Sequence, residues 1–146
     1  MTKPFRLESV RKYRSALEDQ AQEELARSLR QKNRLLLCID EQHADLRAQD
    51  LELKRRQQTG LSMAEIDLYE TRINYCRRRC NELGNQLRAL EARILRQRED
   101  LIEAARARQV MDKLKERQNE TYRQEQERKE RRDLDEISLR DKGKTP

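Results

Sequence analysis

Apolar side chains recur at alternating spacings of three and four through the second half of the chain. The positions are Ile66, Tyr69, Ile73, Cys76, Cys80, Leu83, Leu87, Leu90, Ile94, Gln97, Leu101, Ala104, Arg108 and Met111. Only Gln97 and Arg108 break the pattern, no proline interrupts it, and Gly84 is its one glycine. A seven-residue apolar repeat sustained over this length predicts a helix that buries a narrow stripe against a second helix in a left-handed coiled coil. Two readings of Gln97 and Arg108 stand side by side. Either they are tolerated imperfections, with Arg108 reaching out to water, or they fix the register, as buried polar residues do in coiled coils.

The first half carries a second stripe. Phe5, Leu7, Val10, Tyr13 and Leu17 open it, and Ala21, Leu25 and Leu29 continue at spacings of four, which suggests a local drift from the heptad. Leu35, Leu36, Leu37, Cys38 and Ile39 form the densest apolar cluster. One helix cannot aim five consecutive residues at one partner, so either two surfaces wrap this segment or Leu35 and Leu37 are partly exposed. The stripe runs on through His43, Leu46 and Leu53.

Between the stripes lies Thr59-Gly60-Leu61-Ser62-Met63-Ala64-Glu65-Ile66. Gly60 suits the residue just past a helix end. Ser62 and Glu65 have the spacing of a capping box, and Leu61 and Ile66 that of a hydrophobic staple. Three signals within a few residues predict a tight turn, and a short turn makes the helices antiparallel. With the turn centred near Gly60, facing residues have numbers that sum to about 121. Leu46 then faces Cys76, Ile39 faces Leu83, Leu17 lies near Ala104 and Val10 near Met111. The first helix is used up close to residue 115, where the second helix also loses its heptads, so the paired part is expected to run roughly 75 Å.

The reading is therefore an all-α fold, a long antiparallel two-helix coiled-coil hairpin with an overhanging C-terminal helix. It is expected as a single domain over residues 1–146, with helix 1 at about 5–58, a turn at 59–62, helix 2 at about 62–140 and a flexible tail at 141–146. From Lys115 to Asp133 the only large apolar side chain is Tyr122, amid good helix formers. This overhang is either a solvated helix held by charge pairs or a surface for a partner. Leu134, Ile137 and Leu139 add a small apolar face near its end.

Composition agrees. Of 146 residues, 34% are hydrophobic, 3% aromatic and 42% charged, with no Trp and one Phe. That cannot fill a globular interior but can line a helix seam, which needs about two residues in seven. Disorder is the competing reading of so polar a chain, and the unbroken heptads oppose it. The net charge of +6 comes from 34 basic and 28 acidic residues, finely interleaved, as on a solvated helix surface. Arg77-Arg78-Arg79 and Arg128-Lys129-Glu130-Arg131-Arg132 are basic clusters without interleaved aromatics or a reading motif, so nucleic acid is not the expected partner. No apolar run reaches the length of a membrane span and no signal-peptide core appears. A cytoplasmic protein with reduced thiols is expected.

Candidate chemistry is sparse. There is one histidine and no glycine-rich phosphate loop, and the carboxylates lie on an open surface. No enzyme and no cofactor are expected. Cys76 and Cys80, with His43 opposite, could in principle hold zinc, with Cys38 as a further ligand only after local rotation. The irregular spacing favours small hydrophobes in a seam and no metal.

Phe5-Arg6-Leu7-Glu8-Ser9-Val10-Arg11-Lys12-Tyr13-Arg14 opens the chain, Lys115-Glu116-Arg117 leads to Tyr122-Arg123, and Arg131-Arg132-Asp133-Leu134-Asp135-Glu136-Ile137 closes it. With the central Gly60 turn and Tyr69 after it, the whole chain resembles the flagellar export protein FliJ family. The resemblance implies an antiparallel coiled coil similar to the stalk subunit of rotary ATPases. It implies a place in the flagellar type III export apparatus, and so in motility and chemotaxis. The end built of both termini would engage a hexameric, FliI-like export ATPase and promote its assembly. Further contacts would be an FlhA-like export gate and export chaperones, with the protein peripheral at the cytoplasmic face of the inner membrane and not inserted in it. Ring contacts are then expected at Arg11, Arg14, Arg117, Tyr122, Arg123, Arg131 and Arg132. Gate contacts fall at Arg72, Cys76 and Arg79, a more basic set than the family's pattern. The related injectisome stalk proteins share the shape, and a self-associating structural coiled coil is the alternative from another class.

Overall fold

The computed structural model describes residues 4–144. They form two long α-helices packed against each other, α1 over Glu8–Thr59 and α2 over Met63–Lys144, with no strand among the described residues. The fold is all-α. The chain divides into two units, Met1–Gln20 with Leu101–Pro146, and Ala21–Asp100.

In the Ala21–Asp100 unit the chain reverses at the expected turn. Gly60 takes φ 97°, the left-handed conformation that glycine adopts without penalty. The Ser62 hydroxyl accepts a hydrogen bond from the Glu65 amide at 3.3 Å, and the Ser62 carbonyl accepts from Ile66 at 3.1 Å. The first satisfies an otherwise free donor of the first turn of α2, and the second is that helix's first i to i−4 bond. Beyond the turn the two helices run antiparallel. Arg56 donates to the Tyr69 hydroxyl at 3.0 Å, the Gln49 amide to Cys76 Sγ at 3.7 Å, and Lys32 pairs with Glu91 at 3.7 Å.

Those contacts set facing numbers that sum to 125, 125 and 123, above the expected 121. Two causes add. The reversal spans Gly60 to Ser62, so its centre is Leu61. Helical side chains also lean toward their own N-terminus, so each tip covers a spot about one residue back. The Gln49 amide therefore meets Cys76.

All fourteen heptad positions of α2 from Ile66 to Met111 are buried or half-buried. The deepest apolar side chains of this unit are Ile73, Cys76, Leu83, Leu90 and Ile94, each 3–6% exposed. On α1 the heptad runs without drift through Leu25, Ser28, Lys32, Leu35, Ile39, Gln42, Leu46, Gln49 and Leu53, all buried or half-buried. Ser28, at 4% exposure, takes the central place expected of Leu29. His43 is exposed and Gln42 faces the seam in its stead. In the cluster at Leu35–Ile39 no second surface wraps the helix among the described residues, and the exposed leucines are Leu36 and Leu37 rather than Leu35 and Leu37. Leu35 and Ile39 face the seam, and Leu36, Leu37 and Cys38 are exposed.

The other unit brings the start of α1 onto α2. Phe5 is 9% exposed and precedes the helix, with its carbonyl accepting from Glu8 at 3.1 Å. Helix begins at Glu8, later than Phe5, and the Arg6 amide ahead of it points to Gln118 of α2. Leu7 and Tyr13, read as stripe residues, are exposed. At the far end α2 continues as helix through Lys144, past the expected tail start at Asp141. Leu139, Arg140 and Lys142 are good helix formers and no proline interrupts the run, so the helix carries on over Asp141 and Gly143. The rest of that tail, Thr145 and Pro146, and the lead residues Met1–Lys3 lie outside the described residues.

Candidate functional site

The unit of Met1–Gln20 and Leu101–Pro146 holds every ring-contact residue named from the sequence. Its geometry sorts them. Arg11 is engaged within the chain, 2.6 Å from Glu8 and 3.7 Å from Asp112. Arg14 is half-buried and stacks over the Tyr13 ring at 6.0 Å. Tyr122 is half-buried, and Arg123 pairs with Glu120 one turn back at 2.8 Å. Arg117, Arg131 and Arg132 are exposed and make no ion pair among the described residues. From Arg123 to Gly143 every residue is exposed, with Leu134, Ile137 and Leu139 at 64%, 54% and 69%. Nothing of the chain covers this stretch among the described residues. It offers guanidinium forks, which bind carboxylates and backbone carbonyls in fixed geometry, beside three bare aliphatic side chains.

Sequence reasoning missed the polar fastening of the α1 start. The Gln118 side-chain amide brackets Phe5. Its nitrogen donates to the Pro4 carbonyl at 2.9 Å and its oxygen accepts from the Arg6 amide at 3.4 Å. Lys115 pairs with Glu8 at 3.4 Å, and Arg108 pairs with Glu18 across the helices and with Asp112 at 2.6 Å. Arg108 interrupts the apolar heptad, and its guanidinium, part-exposed, joins two carboxylates, one on each helix. The signal was present as opposite charges on facing helix flanks, but it becomes readable only with the register right to within one residue. The Arg11 hydrogen bonds, with further attraction from Lys115, hold the Glu8 carboxyl down to about 2 against partial desolvation. The same contact with Glu8 raises Arg11, and contacts to Glu18 and Asp112 raise Arg108.

The three gate-contact residues lie in the other unit and differ among themselves. Arg72 is exposed and lines an open groove with Gln42, Asp45, Gln49 and Tyr75. Arg79 pairs with Glu82 at 3.5 Å. Cys76 is 5% exposed under the Gln49 amide. Of the three, only the arginines are exposed. The three cysteines are free thiols, with Cys38 exposed, Cys76 buried and Cys80 half-buried. No group of three His, Cys, Asp or Glu gathers among the described residues. His43 is not opposite Cys76, because Gln49 is. No helix of the described residues is long and apolar enough to cross a membrane.

The model of the family described as Flagellar FliJ protein matches residues 2–143. The chain belongs to the FliJ family. Membership brings a flagellar export-related role, the part of a structural or export component, and association with the flagellar export apparatus. No curated protein and no solved structure matches the chain.

Proposed function

We propose that this FliJ-family chain is a non-enzymatic stalk and adaptor of the flagellar export ATPase. In this reading the bare end of α2 enters the opening of a hexameric, FliI-like ring, promotes its assembly and raises its hydrolysis rate. The observation that carries it is the uncovered stretch Arg123–Gly143, helical throughout and exposed at every residue. An isolated helix of that composition is marginal in water, so a protein that keeps one gains most when a partner surrounds it. Arg117, Arg123, Arg131 and Arg132 are the contacts proposed there, with Tyr122 as the amphipathic anchor. Arg11 is held by Glu8 and Asp112 in the free chain, and Arg14, which meets only Tyr13 of its own helix, stays a proposed contact on α1.

The adaptor half of the proposal places an FlhA-like export gate on the groove at Arg72 and Arg79 and lets the same protein meet export chaperones. Its location is then cytoplasmic, peripheral at the inner membrane through the apparatus. Mixing the purified chain with the export ATPase tests the stalk half. One chain per six ATPase subunits and a faster hydrolysis rate are expected. A chain that leaves both assembly and rate unchanged overturns it. An excess of equimolar complexes would point instead to a lateral binder.

A further inference from the structure

Two modes of helix pairing occur in this chain. In the Ala21–Asp100 unit the α2 side of the seam is a deep apolar row, with Ile73, Cys76, Leu83, Leu90 and Ile94 buried, and one ion pair, Lys32–Glu91, crosses between the helices. In the Met1–Gln20 and Leu101–Pro146 unit Phe5 is the sole deeply buried apolar side chain among the described residues. The apolar side chains between the helices there, Val10, Leu17, Leu101, Ala104 and Met111, are only half-buried, and beside this shallower seam runs a continuous chain of charges. Lys115 contacts Glu8 at 3.4 Å, Glu8 contacts Arg11 at 2.6 Å, Arg11 contacts Asp112 at 3.7 Å, Asp112 contacts Arg108 at 2.6 Å, and Arg108 contacts Glu18. The chain crosses between α1 and α2 three times within about three helical turns.

We propose that the start of α1, residues 8–18, is an ionic latch that opens on its own while the apolar seam stays shut. Salt separates the two modes. Screening shrinks the reach of these part-exposed pairs from about 30 Å at 0.01 M to about 3 Å at 1 M, whereas apolar burial is not weakened by it. The crossings share members, so loss of one link loosens its neighbours and the segment releases as a unit. Release frees the Phe5 anchor and bares α2 back to about Arg108, the partner of Glu18, which lengthens its unpartnered helix. A carboxylate-bearing partner that captured Arg11 or Arg108 would have the same effect as salt. This inference goes beyond the stalk proposal and does not depend on it, because the chain is tested alone.

Amide hydrogen exchange on the full chain, at low and high salt, is the test. Amides of residues 9–18 should exchange roughly five- to tenfold faster at high salt, with those of residues 73–94 unchanged. Arg108→Gln should open the same segment already at low salt. Glu18→Leu combined with Arg108→Leu replaces the crossing by apolar side chains at heptad positions and should keep residues 9–18 protected at both salt levels. Three results would each overturn the latch: equal acceleration in both segments, no acceleration in residues 9–18, or a salt response that survives in the double leucine variant.

Discussion

Glu8 is where a single side chain governs an element. Its carboxylate holds Arg11 on its own helix and Lys115 on α2, and in return its proton affinity drops from the usual 4.5 to about 2. A carboxyl with a depressed folded pKa stabilises the folded form when ionised. That contribution is present above about pH 4.5 and is lost as pH falls toward 2. Glu8→Gln should therefore exchange faster than wild type over residues 9–18 at neutral pH, and the difference should vanish by about pH 2. A difference that is constant from pH 7 to pH 2 would separate the effect from this carboxyl. In the other unit the decisive residues are apolar. Leu83 is 3% exposed, and Leu83→Ala should cost about 2–3 kcal/mol, toward the lower end for leucine truncation because a seam one side chain deep can partly collapse. Chemical denaturation followed by far-ultraviolet circular dichroism measures it. Cys76 stands beside Gln49, whose side-chain oxygen is buried without a hydrogen-bond partner.

At the scale of the element, two glycines make opposite predictions. Gly60 sits at φ 97°, so Gly60→Ala should lower stability by about 1 kcal/mol through backbone strain, although a Cβ there meets nothing within 4 Å. Gly84 lies inside α2 with ordinary φ and open space around its missing Cβ. Gly84→Ala should raise stability by up to about 1 kcal/mol, since glycine costs that much in a helix interior. Thermal melts of the two variants should move in opposite directions, and movement in the same direction would contradict the backbone account. The helices and their reversal were legible in the sequence because heptad spacing, Gly60 and the Ser62 cap are local signals. All fourteen α2 seam positions read from spacing alone are buried or half-buried. The α1 seam was harder because it is built partly from polar residues. Ser28, Lys32, Gln42 and Gln49 occupy heptad positions that an apolar count skips, while hydropathy points to Leu7 and Tyr13, and a spacing of four from Ile39 to His43, although all three are exposed. The ring-contact set was read from charge and a resemblance. Charge alone could not separate Arg11, spent on Glu8 and Asp112, from Arg131 and Arg132, which are not.

At the scale of the whole molecule, the question is whether the uncovered end of α2 acts or is merely solvated. Folding and partner binding draw on different residues, so they can be separated. Arg123 is 67% exposed and its one pair, with Glu120, is a surface contact within the helix. Arg131 is exposed without an ion pair among the described residues. Such exposed groups contribute little to stability, and Glu is as good a helix former as Arg. Arg123→Glu combined with Arg131→Glu should leave the helical signal and melting behaviour close to wild type. If the stretch binds inside an ATPase ring, the same variant should lose stimulation of hydrolysis, because forks that matched carboxylates now repel them. Net charge is a confounder, and the chain supplies its own control. Arg77 and Arg78 are exposed, belong to the other unit and make no ion pair among the described residues. Arg77→Glu combined with Arg78→Glu changes the charge by the same four units while leaving the bare end intact. Stimulation should survive in this control, and in wild type it should weaken as salt rises, since the Debye length falls to about 10 Å at 0.1 M. Full stimulation by the folded Arg123 and Arg131 variant would remove the bare end from the mechanism. Equal loss in both double variants would assign the effect to overall charge instead.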